Sequence, residues 1–111
     1  MEVRKLDHAE AFTTKDGSTI RELLGPRTAP VQNQSLAEAT LGPGQATERH
    51  YHAASEELYY VADGRRAQVG VGDAILIPPG AWHQLRASPE GQVRILCCCA
   101  PPYSDDDTFF R

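Results

Sequence analysis

Short apolar runs that end at turn-forming residues make up most of the chain. Strand-forming residues dominate each run, and turns rich in Gly, Pro and Asp close them. The clearest runs are 35–41, 58–62, 74–77 and 93–99. Residues 20–24 fit either a strand or one helical turn, and we find no convincing amphipathic helix. The pattern therefore predicts an all-β fold, either a sandwich or a barrel.

The length of 111 residues is enough for one compact domain. Within it we expect an N-terminal arm and first strand over 1–30, a barrel core over 31–100 and a C-terminal tail over 101–111. The two ends have the least regular pattern. They either fray or act as arms that pair with a sheet edge.

Charge and hydropathy narrow the classes of function. The formal net charge of −4, with acidic and basic residues mixed along the chain, disfavours nucleic acid as a partner. No apolar run approaches the roughly 20 residues that cross a bilayer, and residues 1–8 lack the apolar core of a signal peptide. The three cysteines are consecutive, Cys97 to Cys99, which fits a reducing compartment better than a disulfide framework. We expect a soluble cytoplasmic protein with no membrane partner.

Three of the four histidines lie in two short segments that indicate a metal site. His50 and His52 are separated by one residue, so on a strand both side chains leave the same face. On a helix the pair would diverge, because neighbours on one helix face are three or four residues apart. His83 follows a separate turn at Pro78-Pro79-Gly80. Since imidazole and carboxylate are the usual donors for a mid-row transition metal, the spacing predicts a strand-borne chelate.

The carboxylate partner stays open when only the residues are considered. Glu57 lies five residues after His52, so on one unbroken strand it would face away from the histidines. We therefore expect residues 53–55 to break the strand as a turn or a bulge. Glu56 is an alternative carboxylate, and alternation alone does not decide between the two.

Two motifs of this chain resemble those of the cupin superfamily. The first is glycine, five residues, His-x-His, three or four residues, Glu, six residues and glycine; the second is glycine, five residues, Pro-x-Gly, two residues and His. The matching positions are Gly44, His50, His52, Glu57 and Gly64 for the first motif, and Gly72, Pro78, Gly80 and His83 for the second. The flanks at Asp16–Leu23 and Cys98–Ser104 are also similar to small single-domain cupins.

The resemblance implies a small jelly-roll (cupin) β-barrel in a single domain. It selects Glu57 over Glu56 and implies that His50, His52, Glu57 and His83 hold one divalent transition metal. Iron, manganese, nickel, copper and zinc all accept this donor set. The resemblance further implies a small-molecule ligand or substrate and a homodimer, because small jelly rolls expose sheet edges that need covering.

The chain departs from the family pattern at two places. The second motif usually ends with Asn four residues after its His, but that position is Ala87, so a supporting hydrogen bond is expected to be absent. The link 65–71 is also too short for the hairpin that cupins commonly place there. We expect a single strand over 65–69 to bridge it, with a shortened barrel rim.

Several further side chains are candidates for the substrate pocket. Tyr59 shares the parity of Glu57, so it either lines the pocket, where it could act as an acid, or packs in the barrel. If Arg94 faces solvent, alternation turns Cys97 and Cys99 inward. These cysteines are expected to behave as small buried hydrophobes or, alternatively, to contact substrate.

Two charged features outside the motifs allow both a functional and an ordinary interpretation. Arg21 is a candidate for binding an acidic substrate, although solvated arginine is the usual case. The acidic run Asp105–Asp107 could attract cations, but we expect it to be hydrated.

Four protein donors on a six-coordinate metal leave two adjacent positions for exogenous ligands. Our first hypothesis is a metal-dependent enzyme that acts on a small polar molecule, with a dioxygenase ranked first and an isomerase or lyase second. The alternative is a non-catalytic small-molecule-binding cupin with a structural or vestigial metal site. The fold does not choose between them, because one fold hosts many functions.

Overall fold

The computed structural model describes residues 1–64 and 68–111, and they form an almost entirely β structure. Its eight strands are β1 (Ala11–Thr13), β2 (Thr19–Leu24), β3 (Ser35–Leu41), β4 (Tyr51–His52), β5 (Glu56–Asp63), β6 (Ala74–Ile77), β7 (Val93–Ala100) and β8 (Thr108–Phe109). Two 3-10 turns, Leu6–His8 and Asp105–Asp107, are the helical elements of the described ranges. Within those ranges no helix has the length and apolarity to cross a membrane. The predicted all-β class is confirmed.

The strands form one six-stranded antiparallel sheet in the order β1-β2-β3-β7-β5-β6 and a small second sheet of β4 and β8. The four predicted apolar runs fall in β3, β5, β6 and β7, and the ambiguous segment 20–24 is a strand. The strand predicted over 65–69 falls mainly on residues 65–67, which lie outside the described residues. Strands from both irregular ends join the sheets, since β2 pairs with β3 and β8 pairs with β4.

A second wall faces the large sheet and closes the barrel. It includes segments 46–50 and 83–86, which are joined by isolated antiparallel bridges at Ala46–Arg86 and His50–His83. Side chains from the two walls fill the space between them, as in a jelly roll. The buried apolar core consists of Ala39, Leu41, Tyr59, Val61, Ile77, Leu85, Ala87, Ile95 and Cys97.

Alternation along the long strands decides which side chains enter the barrel. On β5, Glu57, Tyr59 and Val61 are buried, whereas Leu58 and Tyr60 are exposed. This places Glu57, rather than Glu56, on the inner face. On β7 the same alternation buries Ile95, Cys97 and Cys99 and leaves Arg94 on the outer face, where it pairs with Glu38 at 2.8 Å.

Candidate metal centre

The backbone holds His50 and His83 directly opposite each other. The N–H of each residue donates to the carbonyl oxygen of the other, at 3.0 and 2.8 Å. The two rings leave the same side of this pair, with their centroids 4.3 Å apart. The antiparallel bridge therefore brings together two histidines that are 33 positions apart in the chain.

His52 is fixed from two directions. The N–H of Gly80, in the turn after β6, donates to the His52 carbonyl oxygen at 2.7 Å. Gly80 has a φ of +81°, a left-handed conformation that glycine adopts without the penalty of a Cβ. On the other side, His52 pairs with Thr108 of β8.

The predicted break over residues 53–55 exists, and Asp107 holds it in place. Oδ1 of Asp107 accepts hydrogen bonds from the N–H groups of Ala53 and Ala54 at 3.0 and 2.9 Å, and Oδ2 accepts one from Ser55 at 2.9 Å. This turn shifts the chain by one position, so that Glu57 faces the same interior as His52. The expectation that Asp105–Asp107 is simply hydrated is wrong for Asp107, because its carboxylate binds three backbone groups.

The four predicted ligand side chains converge inside the barrel. One ligand nitrogen from each of His50, His52 and His83 can be chosen so that all three lie within 4.8 Å of one another. Oε1 of Glu57 is 3.5 Å from Nε2 of His52 and 3.3 Å from Nε2 of His83. His50, His52 and Glu57 are buried, and His83 is nearly so, at 11% side-chain exposure.

Each imidazole is oriented by a hydrogen bond from its other nitrogen to a backbone carbonyl. Nδ1 of His50 contacts the carbonyl of Glu48 at 2.7 Å, and Nδ1 of His83 contacts that of Ala81 at 2.9 Å. Nδ1 of His52 contacts the carbonyl of Asp107 at 3.0 Å. A carbonyl can only accept, so each neutral ring carries its proton on Nδ1 and offers the Nε2 lone pair to the centre of the cluster.

Two buried atoms of this cluster lack the hydrogen bonds that burial normally demands. Oε1 of Glu57 and Nε2 of His83 have no hydrogen-bond partner among the described residues. Leaving such atoms unsatisfied is costly, unless a cation satisfies both. Three histidines that can hold a metal ion, with a carboxylate beside two of them, fit a divalent transition metal.

The charge states of the cluster follow from burial and from these contacts. Burial lowers the pKa of His50, and the neighbouring His83 lowers it further. Burial also lowers the pKa of His52, but the nearby carboxylate of Glu57 raises it by more. Burial raises the pKa of the Glu57 carboxyl, yet its interactions with His52, His83 and Cys99 outweigh this and lower the pKa to about 2. Glu57 is therefore an anion at every physiological pH.

Cys99 supports the Glu57 carboxylate. Its thiol donates to Oε2 of Glu57 at 3.0 Å, which leaves Oε1 facing the histidines. Burial raises the pKa of Cys99, and the charge of Glu57 raises it further, so the sulfur remains a neutral donor. Burial likewise raises the pKa of Cys97 well above its ordinary value.

An interior cavity opens beside the cluster and contains most of the predicted pocket residues. Tyr59, Cys97 and Cys99 line it, together with apolar side chains such as Ile20 and Ile95. The Tyr59 ring lies 6.1 Å from that of His83, centroid to centroid, and burial raises its pKa well above 10. The phenol therefore keeps its proton.

The prediction that Arg21 belongs to the pocket does not agree with the structure. Arg21 is paired in register with Glu38 and lies 4.0 Å from its carboxylate, on the outer face of the sheet. Its neighbours Ile20 and Glu22 are the β2 residues that line the cavity. Alternation along β2 is the reason, since successive side chains enter opposite faces.

Ala87 stands where the family motif usually has Asn, and it is part of the core. It is only 2% exposed, and its N–H donates to the carbonyl of Gln45 at 2.8 Å. The backbone of residues 45 and 87 thus joins the two segments of the second wall without a side-chain hydrogen bond at this position.

Asp16 is a further residue of the site that the sequence pattern did not predict. Its Oδ2 lies 3.7 Å from Nε2 of His50, and the residue lines the cavity. The signal available was the Asp16-Gly17-Ser18 turn, in which an aspartate commonly bonds the backbone two residues on. Nothing in the spacing indicated that this turn reaches the histidines.

Comparison with known proteins agrees with this architecture. A family model described as the Cupin domain matches residues 37–99, which is more than half of the chain. The chain belongs to the cupin family. It is 43% identical over 110 residues to the uncharacterized protein MJ1618 of Methanocaldococcus jannaschii, covering 92% of this chain and 88% of the relative.

Solved structures with the same fold include two small enzymes from Streptomyces. The polyketide cyclase RemF from Streptomyces resistomycificus has a TM-score of 0.78 at 24% identity, covering 96% of this cupin and 89% of RemF. The nucleoside dehydratase Pac13 has a TM-score of 0.70 at 17% identity, covering 98% of this cupin and 89% of Pac13; variants of the Streptomyces protein were solved with uridine. At these identities the likeness establishes the fold, the small jelly-roll barrel predicted from the motifs.

Proposed function

We propose that this cupin is a metal-dependent enzyme that isomerises, cyclises or dehydrates a small oxygenated molecule without consuming oxygen. The observation that carries the proposal is the convergence of His50, His52, His83 and Glu57 inside the barrel, where His50, His52 and Glu57 line an interior cavity. His50, His52, Glu57 and His83 would hold the metal, and the ion would serve as a Lewis acid toward a carbonyl or hydroxyl oxygen.

The other side chains of the cavity suit the binding of a molecule with an apolar body. Ile20, Ala39, Leu85 and Ile95 line the walls and exclude water from the reacting end. Tyr59 is a neutral phenol beside His83, so it can donate a hydrogen bond or a proton to a developing oxyanion. Cys99 keeps Glu57 turned toward the histidines.

The comparisons favour the isomerase or lyase branch over the dioxygenase branch. RemF and Pac13 are described as a cyclase and a dehydratase, and both reaction types rearrange or remove groups without a net oxidation. A donor set of three histidines and a carboxylate supports either branch chemically. We therefore rank oxygenation second.

An assay that follows hydrogen exchange and oxygen together separates these possibilities. Apoprotein would be loaded with Mn²⁺, Fe²⁺, Ni²⁺, Cu²⁺ or Zn²⁺ and incubated in D₂O with a panel of hydroxyketones and β-ketoesters. We expect metal-dependent deuterium incorporation or elimination by NMR with no oxygen uptake. His50→Ala should abolish it, while His8→Ala, an exposed histidine outside the cluster, should not.

Two other results would each support a different function. Oxygen uptake that requires His50 would support a dioxygenase. Metal-dependent ligand binding without turnover would support the non-catalytic module.

We also propose that the protein is a homodimer that associates through the outer face of the large sheet. Leu58, Tyr60 and Leu76 are 48%, 47% and 59% exposed on that face, and Leu58 is paired in register with Leu76. Contiguous exposed apolar side chains favour association. Light scattering should give twice the chain mass, and Leu58→Lys with Leu76→Lys should halve it. Val71→Lys, at a position equally exposed but outside β5 and β6, should leave the mass unchanged.

We propose that the protein is located in the cytoplasm, and its cysteines support this location. Cys97, Cys98 and Cys99 are all free thiols. Thiols persist in a reducing compartment.

A further inference from the structure

Asp16 lies in the turn between β1 and β2, and one of its two carboxylate oxygens is fully committed. Oδ1 accepts hydrogen bonds from the hydroxyl of Thr14 at 2.7 Å and from the N–H and hydroxyl of Ser18 at 2.9 and 2.7 Å. These three bonds fix the plane of the carboxylate. They leave Oδ2 without a hydrogen bond from its own turn, directed toward the histidine cluster.

Oδ2 approaches one histidine of the cluster, His50, about as closely as Oε1 of Glu57 approaches the other two. Oδ2 of Asp16 is 3.7 Å from Nε2 of His50, and Oε1 of Glu57 is 3.5 and 3.3 Å from Nε2 of His52 and His83. Donors held about 2.1 Å from one ion lie about 3 Å apart when adjacent and about 4.2 Å apart when opposite. A single ion can therefore contact Asp16 and His50 together with only small side-chain movements.

The backbone connects Asp16 to the segment that carries His50. The N–H of Glu48 donates to the carbonyl oxygen of Asp16 at 2.7 Å. The carbonyl oxygen of Glu48 accepts the hydrogen bond from Nδ1 of His50, also at 2.7 Å. Glu48 thus fixes both the turn and the histidine ring. The approach of Asp16 to the cluster is part of the folded backbone rather than the reach of a flexible side chain.

The surroundings of Asp16 also lack an alternative counter-ion. Its side chain is only 14% exposed, and among the described residues His50 is the single basic group within 4.0 Å. The neighbouring Lys15 turns away and donates to the carbonyls of Asp105 and Thr108. A carboxylate oxygen that is partly shielded from water favours a nearby cation, and a metal ion in the cluster would provide one.

We propose that Asp16 is a fifth protein donor of the metal centre, on the His50 side of the cluster. This inference rests on the proposed metal site and adds to it. With five protein donors, a six-coordinate ion would have one open position rather than two, and a ligand that binds through two oxygens would have to displace the Asp16 carboxylate. Binding of such a ligand would then move the turn between β1 and β2, which carries Asp16.

Binding of Co²⁺ alone to the whole protein tests this inference without an activity assay. Asp16→Asn retains an oxygen for Thr14 and Ser18 but presents an amide, a poor metal donor, at the second position. We expect the Kd for Co²⁺ to rise about tenfold or more. We also expect the visible absorption of the bound Co²⁺ to change to that of a lower coordination number. Asp106→Asn, the same change at an exposed position of segment 105–107, should alter neither.

Thr14→Val provides a second variant that keeps the carboxylate but removes one of its fixing bonds, and it should weaken Co²⁺ binding by a smaller factor. Equal affinities and identical spectra for the unmodified protein and Asp16→Asn would overturn the inference and leave the four-residue site intact. Failure of the unmodified protein itself to bind Co²⁺ would overturn the proposed metal site as well.

Discussion

The carboxylate of Asp107 accepts a hydrogen bond from the N–H of Ser55 at 2.9 Å, across 52 positions of the chain. Together with its bonds to Ala53 and Ala54, this contact fixes the turn that directs Glu57 into the barrel. Because three backbone donors share one carboxylate, Asp107→Ala would leave the turn without its acceptor. We expect the free energy of unfolding to fall by about 1–3 kcal/mol and metal affinity to fall with it, measured by denaturation and by metal titration.

Asp106→Ala is the matched control for this prediction, because its side chain is exposed and makes no such bonds. If Asp107→Ala has the same free energy of unfolding and the same metal affinity as the Asp106 variant, the turn does not depend on the hydrogen bonds to Asp107.

The hydrogen bond from Cys99 to Glu57 predicts a graded series of variants. Cys99→Ala removes the donor to Oε2 and frees the carboxylate to rotate, so the Kd for a divalent metal should rise about tenfold. Cys99→Ser keeps a donor and should stay close to the unmodified protein. Cys98→Ala, on the outer face of the same strand, should have no effect on the Kd. Isothermal titration calorimetry would measure the Kd of the unmodified protein and of the three variants. Equal Kd values for Cys99→Ala and Cys99→Ser would refute the supporting role of the Cys99 hydrogen bond.

The depressed pKa of Glu57 predicts how the metal-free protein responds to acid. Its carboxyl has a pKa of about 2 in the folded protein and about 4.5 when unfolded, so the unfolded state binds a proton first as the pH falls. The stabilisation is complete above pH 4.5 and is lost as the pH falls toward 2. At about 1.4 kcal/mol for each pKa unit, it is on the order of 3 kcal/mol. Glu57→Gln should lack this part of the acid dependence in urea denaturation; the same slope in both proteins would contradict it.

Glu22 is a partly buried carboxylate that we expect to reduce stability. It lines the cavity, and its Oε2 has no hydrogen-bond partner among the described residues. Glu22→Gln removes the charge and should raise the free energy of unfolding by about 1 kcal/mol, or Tm by about 4 °C. The comparison variant Glu38→Gln should lower it, because Glu38 is buried and paired with Arg94 at 2.8 Å. Calorimetry would measure both, and a lower Tm for Glu22→Gln would indicate a structural partner instead.

The parts of the fold that could be predicted were those governed by local periodicity. The apolar runs and their turns specified β3, β5, β6 and β7, and alternation correctly turned Cys97 and Cys99 inward. The spacing of His50 and His52 likewise follows from the two-residue period of a strand. Each of these inferences needs only a few consecutive residues.

The parts that could not be predicted depend on contacts between distant segments. Sequence parity left Glu56 and Glu57 undecided, because the turn that selects Glu57 is held by Asp107, about 50 positions later. Asp16 reaches His50 through a hairpin whose position is set by the whole barrel. Arg21 was misplaced because its segment was ambiguous between strand and helix, so its facing direction was undefined.

Anomalous diffraction from a crystal of the metal-loaded, untagged protein tests the central claim most directly. We expect one peak per chain at the metal's absorption edge, about 2.0–2.2 Å from an imidazole nitrogen of each of His50, His52 and His83, with Glu57 as an oxygen donor. A loaded crystal with no peak among these side chains, or with its strongest peak elsewhere on the chain, would contradict the account.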